Sequence, residues 1–271
     1  MFNTVTVATV DLNADLAEGD ELSPTDVAIL DSVTSASLAC GFHAGNREVM
    51  RATADAARQR GVVIGAHVSY RDREGFGRRP IEVSPDRLVD DIVEQWAVLD
   101  AEVRAAGGTV TFVKPHGALY NRMGTDPSVA DSVVEAMSRL GSRVLVAQSG
   151  TGIVGRAAGT GVRVVVEGFP DRGYLADGGL APRHRPGALV DDPAEAARRA
   201  VSMVKRGGVE AVDGSWVPVA VETLCIHGDS PGAVEAARQV RLALEAEAIG
   251  LHSFVLTTDD RRKDSKGDRS P

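Results

Sequence analysis

Cysteine is almost absent from this chain, with Cys40 and Cys225 its only two. Two thiols cannot supply a disulfide framework or a thiolate zinc cage, and each lies in an apolar run, so both read as small buried residues. Aromatic residues are few, and a net charge of -8 leaves no basic stripe interleaved with rings. That excludes the usual electrostatic footprint for nucleic acid. No apolar run approaches the roughly 18 residues of a membrane helix. The opening MFNTVTVATVDLNAD lacks a basic segment and alternates as a strand does, so it is not read as a signal peptide. The expected location is cytoplasmic, with no membrane partner. A G-x-x-x-x-G-K-[ST] loop is missing too, so the chain has no P-loop with which to hold ATP.

What is present is rhythm. Apolar runs at residues 4–11, 34–40, 62–67, 109–114, 143–148, 162–167 and 221–227 predict seven strands, separated by helical stretches. The helix from Arg47 to Arg60 stops at Gly61, and Leu88, Ile92, Trp96 and Leu99 mark the packed face of a longer one opening at Ser84-Pro85. Asp126-Pro127, Asp192-Pro193 and Ser230-Pro231 each join an N-cap residue to a proline at the first helical position. Strand and helix in sustained alternation mean parallel strands joined by crossovers. Polar strand ends occur along the whole chain rather than at one switch point, which favours a closed barrel over an open doubly wound sheet. The reading is one α/β barrel domain over residues 1–257 and a disordered polar tail over 258–271. Two insertions, 68–84 and 168–191, leave strand C-termini and are expected to cover the site.

Four of the six histidines close an apolar run: His43, His67, His116 and His227. In a parallel sheet such ends lie on one side, so they predict one shared site, whereas His184 and His252 lack that context. Asp11, Asn13 and Asp15 follow the first run at alternate positions, and so point to one face if the strand continues. They read either as a cluster of acids or metal ligands or as a turn satisfying its own backbone. Lys114 and His116 flank Pro115 and face the same way. A lysine beside an imidazole can hold an anion or polarise a carbonyl while the imidazole moves a proton. Asp171 and Arg172 offer a carboxylate or phosphate clamp, and Asp229 stands near His227. SGTGIVG after the fifth strand mimics a dinucleotide fingerprint with Glu167 as its acid, but the helix it would open is too short.

The blocks DLNADLAEGD, ACGFHAGN, GAHVSYRDREGFGRR, VKPHGALYN, DRGYLADGGLAPR with PGALV, and CIHGDSPGAV resemble, in order, those of the LamB/YcsF family. The resemblance covers residues 10 to 250. It implies a seven-stranded (β/α)7-type barrel similar to that of polysaccharide deacetylases and glycoside hydrolases, with the site at the C-terminal strand ends. It also implies ATP-dependent opening of the 5-oxoproline lactam to L-glutamate, with ATP used through the partner 5-oxoprolinase subunits B and C. Family blocks fall on Asp15, His43, His67, Lys114 and His116, expected to be catalytic, and on Asp11, Asn13, Asp171, Arg172, His227 and Asp229, expected to bind substrate. His116 or Asp15 would activate water, His43 or His67 would stabilise charge or donate a proton, and Lys114 with Arg172 would hold anionic groups. The alternative is a metal-dependent amidase or deacetylase with Asp15, His43, His67 and His116 around a divalent ion. A third reading is a non-catalytic subunit that presents 5-oxoproline to its partners, and a homo-oligomer is open in each. The chain departs from the family's DLGEG at Ala17 and from its prolines at Val68 and Arg71.

Overall fold

The computed structural model describes residues 8–141, 144–228 and 232–255. Its elements run β1 (Thr9–Leu16), α1 (Pro24–Leu30), β2 (Ser35–Ala39), α2 (Arg47–Gln59), β3 (Val63–Val68), α3 (Pro85–Ala105) and β4 (Val110–Pro115). They continue with α4 (Gly117–Thr125), α5 (Pro127–Leu140), β5 (Val144–Gln148), α6 (Ile153–Ala157) and β6 (Arg163–Gly168). The remainder is α7 (Pro193–Arg206), β7 (Gly208–Glu210), β8 (Trp216–Pro218), β9 (Thr223–His227), α8 (Ala233–Ala246) and β10 (Gly250–Leu251). Seven parallel strands close in the order β1, β2, β3, β4, β5, β6, β9, because β9 pairs with both β6 and β1. β10 adds to the start of β1, and β7 with β8 forms a separate antiparallel hairpin.

Local chemistry accounts for most helix starts. Ser23, Asn46, Ser84, Asp126 and Asp192 each turn a side-chain oxygen back onto N–H groups of the first turn, and all but Asn46 are followed by proline. The helix expected at Ser230-Pro231 begins instead at Ala233, after Gly232. Asp229, Ser230, Pro231 and the tail from 258 lie outside the described residues. On α3, Gln95 is fully buried where Trp96 was expected, and Trp96 is only partly covered. Gln95 is stable in that position through hydrogen bonds, accepting from the Ser69 N–H at 2.8 Å and donating to the Ser69 and Asp91 carbonyls.

The first strand corrects the expectation most. It runs on to Leu16, so Asp11, Asn13 and Asp15 lie within it and not beyond it. Being two residues apart, they share the inner face of the barrel. Polar residues are stable there because other strands supply partners. Asp11 accepts from the hydroxyls of Thr34, Ser35 and Thr223 at 2.6, 2.8 and 2.6 Å. Burial nevertheless pushes its carboxyl up to about 6, against those hydrogen bonds. Further down, Phe112, Val146, Val165 and Phe254 pack an apolar plug. Gly65 makes room for it, since a Cβ there would fall 2.2 Å from the Phe112 ring.

Candidate active site

Strand register assembles the site. Asp15 is paired with His227 across β1 and β9, and His67 with Lys114 across β3 and β4. Lys114 is buried, and its ammonium lies 2.9 Å from Asp15 Oδ1, 2.8 Å from Glu167 Oε1, 3.2 Å from Asn13 Oδ1 and 3.0 Å from Cys225 Sγ. Burial alone would lower its pKa, but the adjoining negative groups hold it well above the usual lysine value. Asp15 is held below the ordinary carboxylate range, because His67, Lys114 and His227 outweigh the desolvation that would raise it. A lysine so fully engaged organises carboxylates and has no proton left over for a substrate anion.

The histidines form two groups. His43 and His116 stack with centroids 4.0 Å apart, and His67 meets His116 edge-on through Nε2 and Nδ1 at 2.9 Å. Burial depresses all three: His43 and His116 to about 4, and His67 well below its usual value. Glu18 Oε1 lies 3.3 Å from His43 Nε2 and 3.7 Å from His116 Nδ1. Glu18, His43, His67 and His116 each offer one ligand atom within 4.8 Å of the others, a set that could hold a metal ion. His67 Nδ1 donates to the Lys114 carbonyl and His116 Nε2 to the Phe76 carbonyl, and the remaining nitrogen of each faces the other ring. His227 differs. Asp171 Oδ2 accepts from its Nδ1–H at 2.8 Å and from its backbone N–H at 3.0 Å, which leaves Nε2 without a partner among the described residues. Burial works against the imidazolium, yet the Asp171 carboxylate raises the His227 pKa above its usual value.

A cavity of about 180 Å³ opens above these groups, lined by Asp15, His67, Lys114, His116, Tyr120 and His227 together with Arg78, Arg172 and Arg183. Both insertions contribute walls. The first is folded on Asp72, which accepts from the Gly75 N–H at 3.0 Å and from the Arg79 side chain, and it presents Arg78 to the cavity. The second is tied down by Arg199 of α7, which donates to the carbonyls of Pro170 and Arg172. Arg172 itself is held by the carbonyls of Ala181 and Ala188. Three guanidinium groups around one small cavity suit an anionic ligand.

Residues 10–258 match the LamB/YcsF family model. The chain belongs to the LamB/YcsF family. It is 47% identical over 249 residues to the 5-oxoprolinase A subunit of Paracidovorax citrulli (strain AAC00-1), a match covering 91% of this chain and 99% of that one. To the corresponding 5-oxoprolinase A subunit of Mycolicibacterium gilvum it is 47% identical over 251 residues, covering 92% and 100%. The lactam utilization protein from Thermus thermophilus has a crystal structure similar to this one, with TM-score 0.85 at 42% identity, covering 91% of this chain and 100% of that one. The polysaccharide deacetylase Bc1974 from Bacillus cereus, at TM-score 0.52 and 11% identity over 92% of each chain, shares the barrel fold.

Within this LamB/YcsF chain the structure gathers Asp15, His43, His67, Lys114, His116, Asp171, Arg172 and His227 at one end of the barrel. Asp11 and Asn13 lie deeper, bonded to strand neighbours and absent from the cavity wall. Glu167 is no ribose ligand: one oxygen serves Asn13 and Lys114, the other accepts from Tyr120, and α6 is only five residues long. The motif reading missed Glu18, Arg78 and Arg183 as site residues. Arg78 and Arg183 fall in the two insertions expected to cover the site, and all three residues lie within blocks that resemble the family's.

Proposed function

We propose that this chain is the A subunit of an ATP-dependent 5-oxoprolinase, acting with subunits B and C to open 5-oxoproline to L-glutamate. The observation that carries this reading is a cavity that joins three arginines to Asp15 and to the His227–Asp171 pair, in a chain close to half identical to 5-oxoprolinase A subunits. A lactam resists water because amide resonance must be lost, so ATP is required to activate it. With no P-loop here, phosphorylation of the lactam oxygen belongs to the partners. Arg78, Arg172 and Arg183 would then hold the phosphoryl group and the α-carboxylate of the activated ring.

Water adds to the activated carbon as His227 Nε2 takes one of its protons, and Asp171 stabilises the imidazolium that forms. His227 returns that proton to the ring nitrogen as the C–N bond breaks, which leaves an open-chain acyl phosphate. A second water divides it into the free carboxylate and phosphate. Asp15, kept ionised by Lys114, orients water beside His227. This assigns the proton transfers to His227, where the motifs alone gave them to other residues, and keeps the anion contact expected of Arg172 while replacing Lys114 with Arg78 and Arg183. The test is release of glutamate and phosphate from 5-oxoproline and ATP. The chain with subunits B and C should release both in equal amounts, and the chain alone neither. Turnover by the isolated chain would reject the division of labour.

A further inference from the structure

Three imidazoles and a carboxylate aim the same kind of atom at one point. His67 Nδ1 lies 3.0 Å from the Lys114 carbonyl and His116 Nε2 lies 2.8 Å from the Phe76 carbonyl. A carbonyl only accepts, so both nitrogens carry the proton. His43 Nδ1 lies 3.0 Å from Ser69 Oγ, and that hydroxyl gives its own proton to the Tyr70 carbonyl at 2.9 Å. It too must accept. Each neutral ring is thereby fixed in one tautomer, with a bare lone pair on His43 Nε2, His67 Nε2 and His116 Nδ1. Among them, His67 Nε2 and His116 Nδ1 stand 2.9 Å apart, Glu18 Oε1 lies 3.3 Å from His43 Nε2 and 3.7 Å from His116 Nδ1, and all four atoms lie within 4.8 Å.

Three bare imidazole nitrogens turned toward one point, with a carboxylate oxygen beside them, make a ready ligand set for a cation. Around a tetrahedral ion with bonds of 2.0–2.1 Å, neighbouring ligand atoms stand about 3.3 Å apart, which the three distances bracket. Acceptors behind the far ring nitrogens are also what orients metal-binding histidines. The geometry points to a site for one divalent transition-metal ion of the zinc class, held by Glu18, His43, His67 and His116. Three imidazoles exclude calcium and magnesium as the fitting ions, since both take oxygen ligands. The carboxylate of this set is Glu18, whereas the motifs suggested Asp15. Asp15, Cys225 and His227 also come within 4.8 Å of one another, but the Lys114 ammonium already sits against Asp15 and Cys225 and would repel a cation. The ion would stand behind the cavity wall made by His67 and His116, a role independent of which lactam or amide the cavity takes.

The full chain, stripped with a chelator and dialysed, is titrated with Zn²⁺ alone by calorimetry, with circular dichroism as the check on folding. One equivalent should bind. Glu18→Gln should weaken binding at least tenfold, and Ser69→Ala, which removes the acceptor behind His43 together with that hydroxyl's bond to the Tyr70 carbonyl, by roughly 10–100-fold. His184→Ala, outside the cluster, should leave it unchanged. Ser69→Ala keeps the test decisive if the Glu18 variant does not fold. No stoichiometric binding by the folded chain, or binding undiminished in Ser69→Ala, overturns the site. Because the readout is binding of Zn²⁺, it is separate from glutamate release: a bound ion without turnover in the complete complex would reject the 5-oxoprolinase reading and leave the metal site standing.

Discussion

Asp171 Oδ2 serves His227 twice, at the ring and at the backbone, so one carboxylate sets both the tautomer and the position of the imidazole. The pair also has a definite pH signature. His227 has a raised pKa because the Asp171 charge outweighs burial. As a base it works when neutral, so kcat/KM should rise with pH through that pKa. In Asp171→Asn the charge is gone while burial persists, so the rising limb should move to lower pH. The plateau should also fall roughly 100-fold or more, because an amide no longer enforces the tautomer. A pH profile of the reconstituted complex checks this, and a limb that stays in place would remove His227 from the proton path. The histidines were legible as a set because each closes an apolar run. Their division of labour was not, since it depends on what each second nitrogen touches, and Ser69, Phe76 and Asp171 stand far from the rings they serve in sequence.

At the scale of elements, the starts of α3, α5 and α7 were readable because a cap and its proline are neighbours in the chain. β1 was misread for the opposite reason. Its polar inner face looks like the end of a strand until Thr34, Ser35, Thr223 and Lys114 are brought beside it. Glycine shapes the bend after β2. Gly45 has φ +76, and a Cβ there would fall 2.5 Å from the Ala17 carbonyl, so Gly45→Ala should cost about 2–3 kcal/mol through left-handed strain and overlap. Urea denaturation measures it, and a loss under about 1 kcal/mol would show that the turn yields. Ala17 itself has φ 61 where the family motif has glycine. The backbone strain of roughly 1 kcal/mol is offset by the burial of its methyl group in the core.

Across the whole molecule, the barrel interior is a charge assembly and not an oily core at its upper end. Lys114 balances Asp15 and Glu167, and all three are buried. Lys114→Met would leave two buried carboxylates facing each other without a cation, at a cost of about 3–5 kcal/mol at neutral pH. The deficit should shrink on acidification, as the strained carboxylates take up protons in the native state before the unfolded one does. Denaturation of both proteins across pH checks this. A variant within about 1 kcal/mol of the parent at pH 7 would mean that water reaches the interior.

The closing seam also bears on how the chain is made. Asp11 meets Thr223 across 212 residues, and Asp15 meets His227 over the same seam between β1 and β9. While a ribosome is still short of β9, the first strand has synthesised its acids but not their last partners. The emerging polypeptide therefore holds an open, half-polar sheet until late in translation, and chaperone demand should be greatest just before that strand appears.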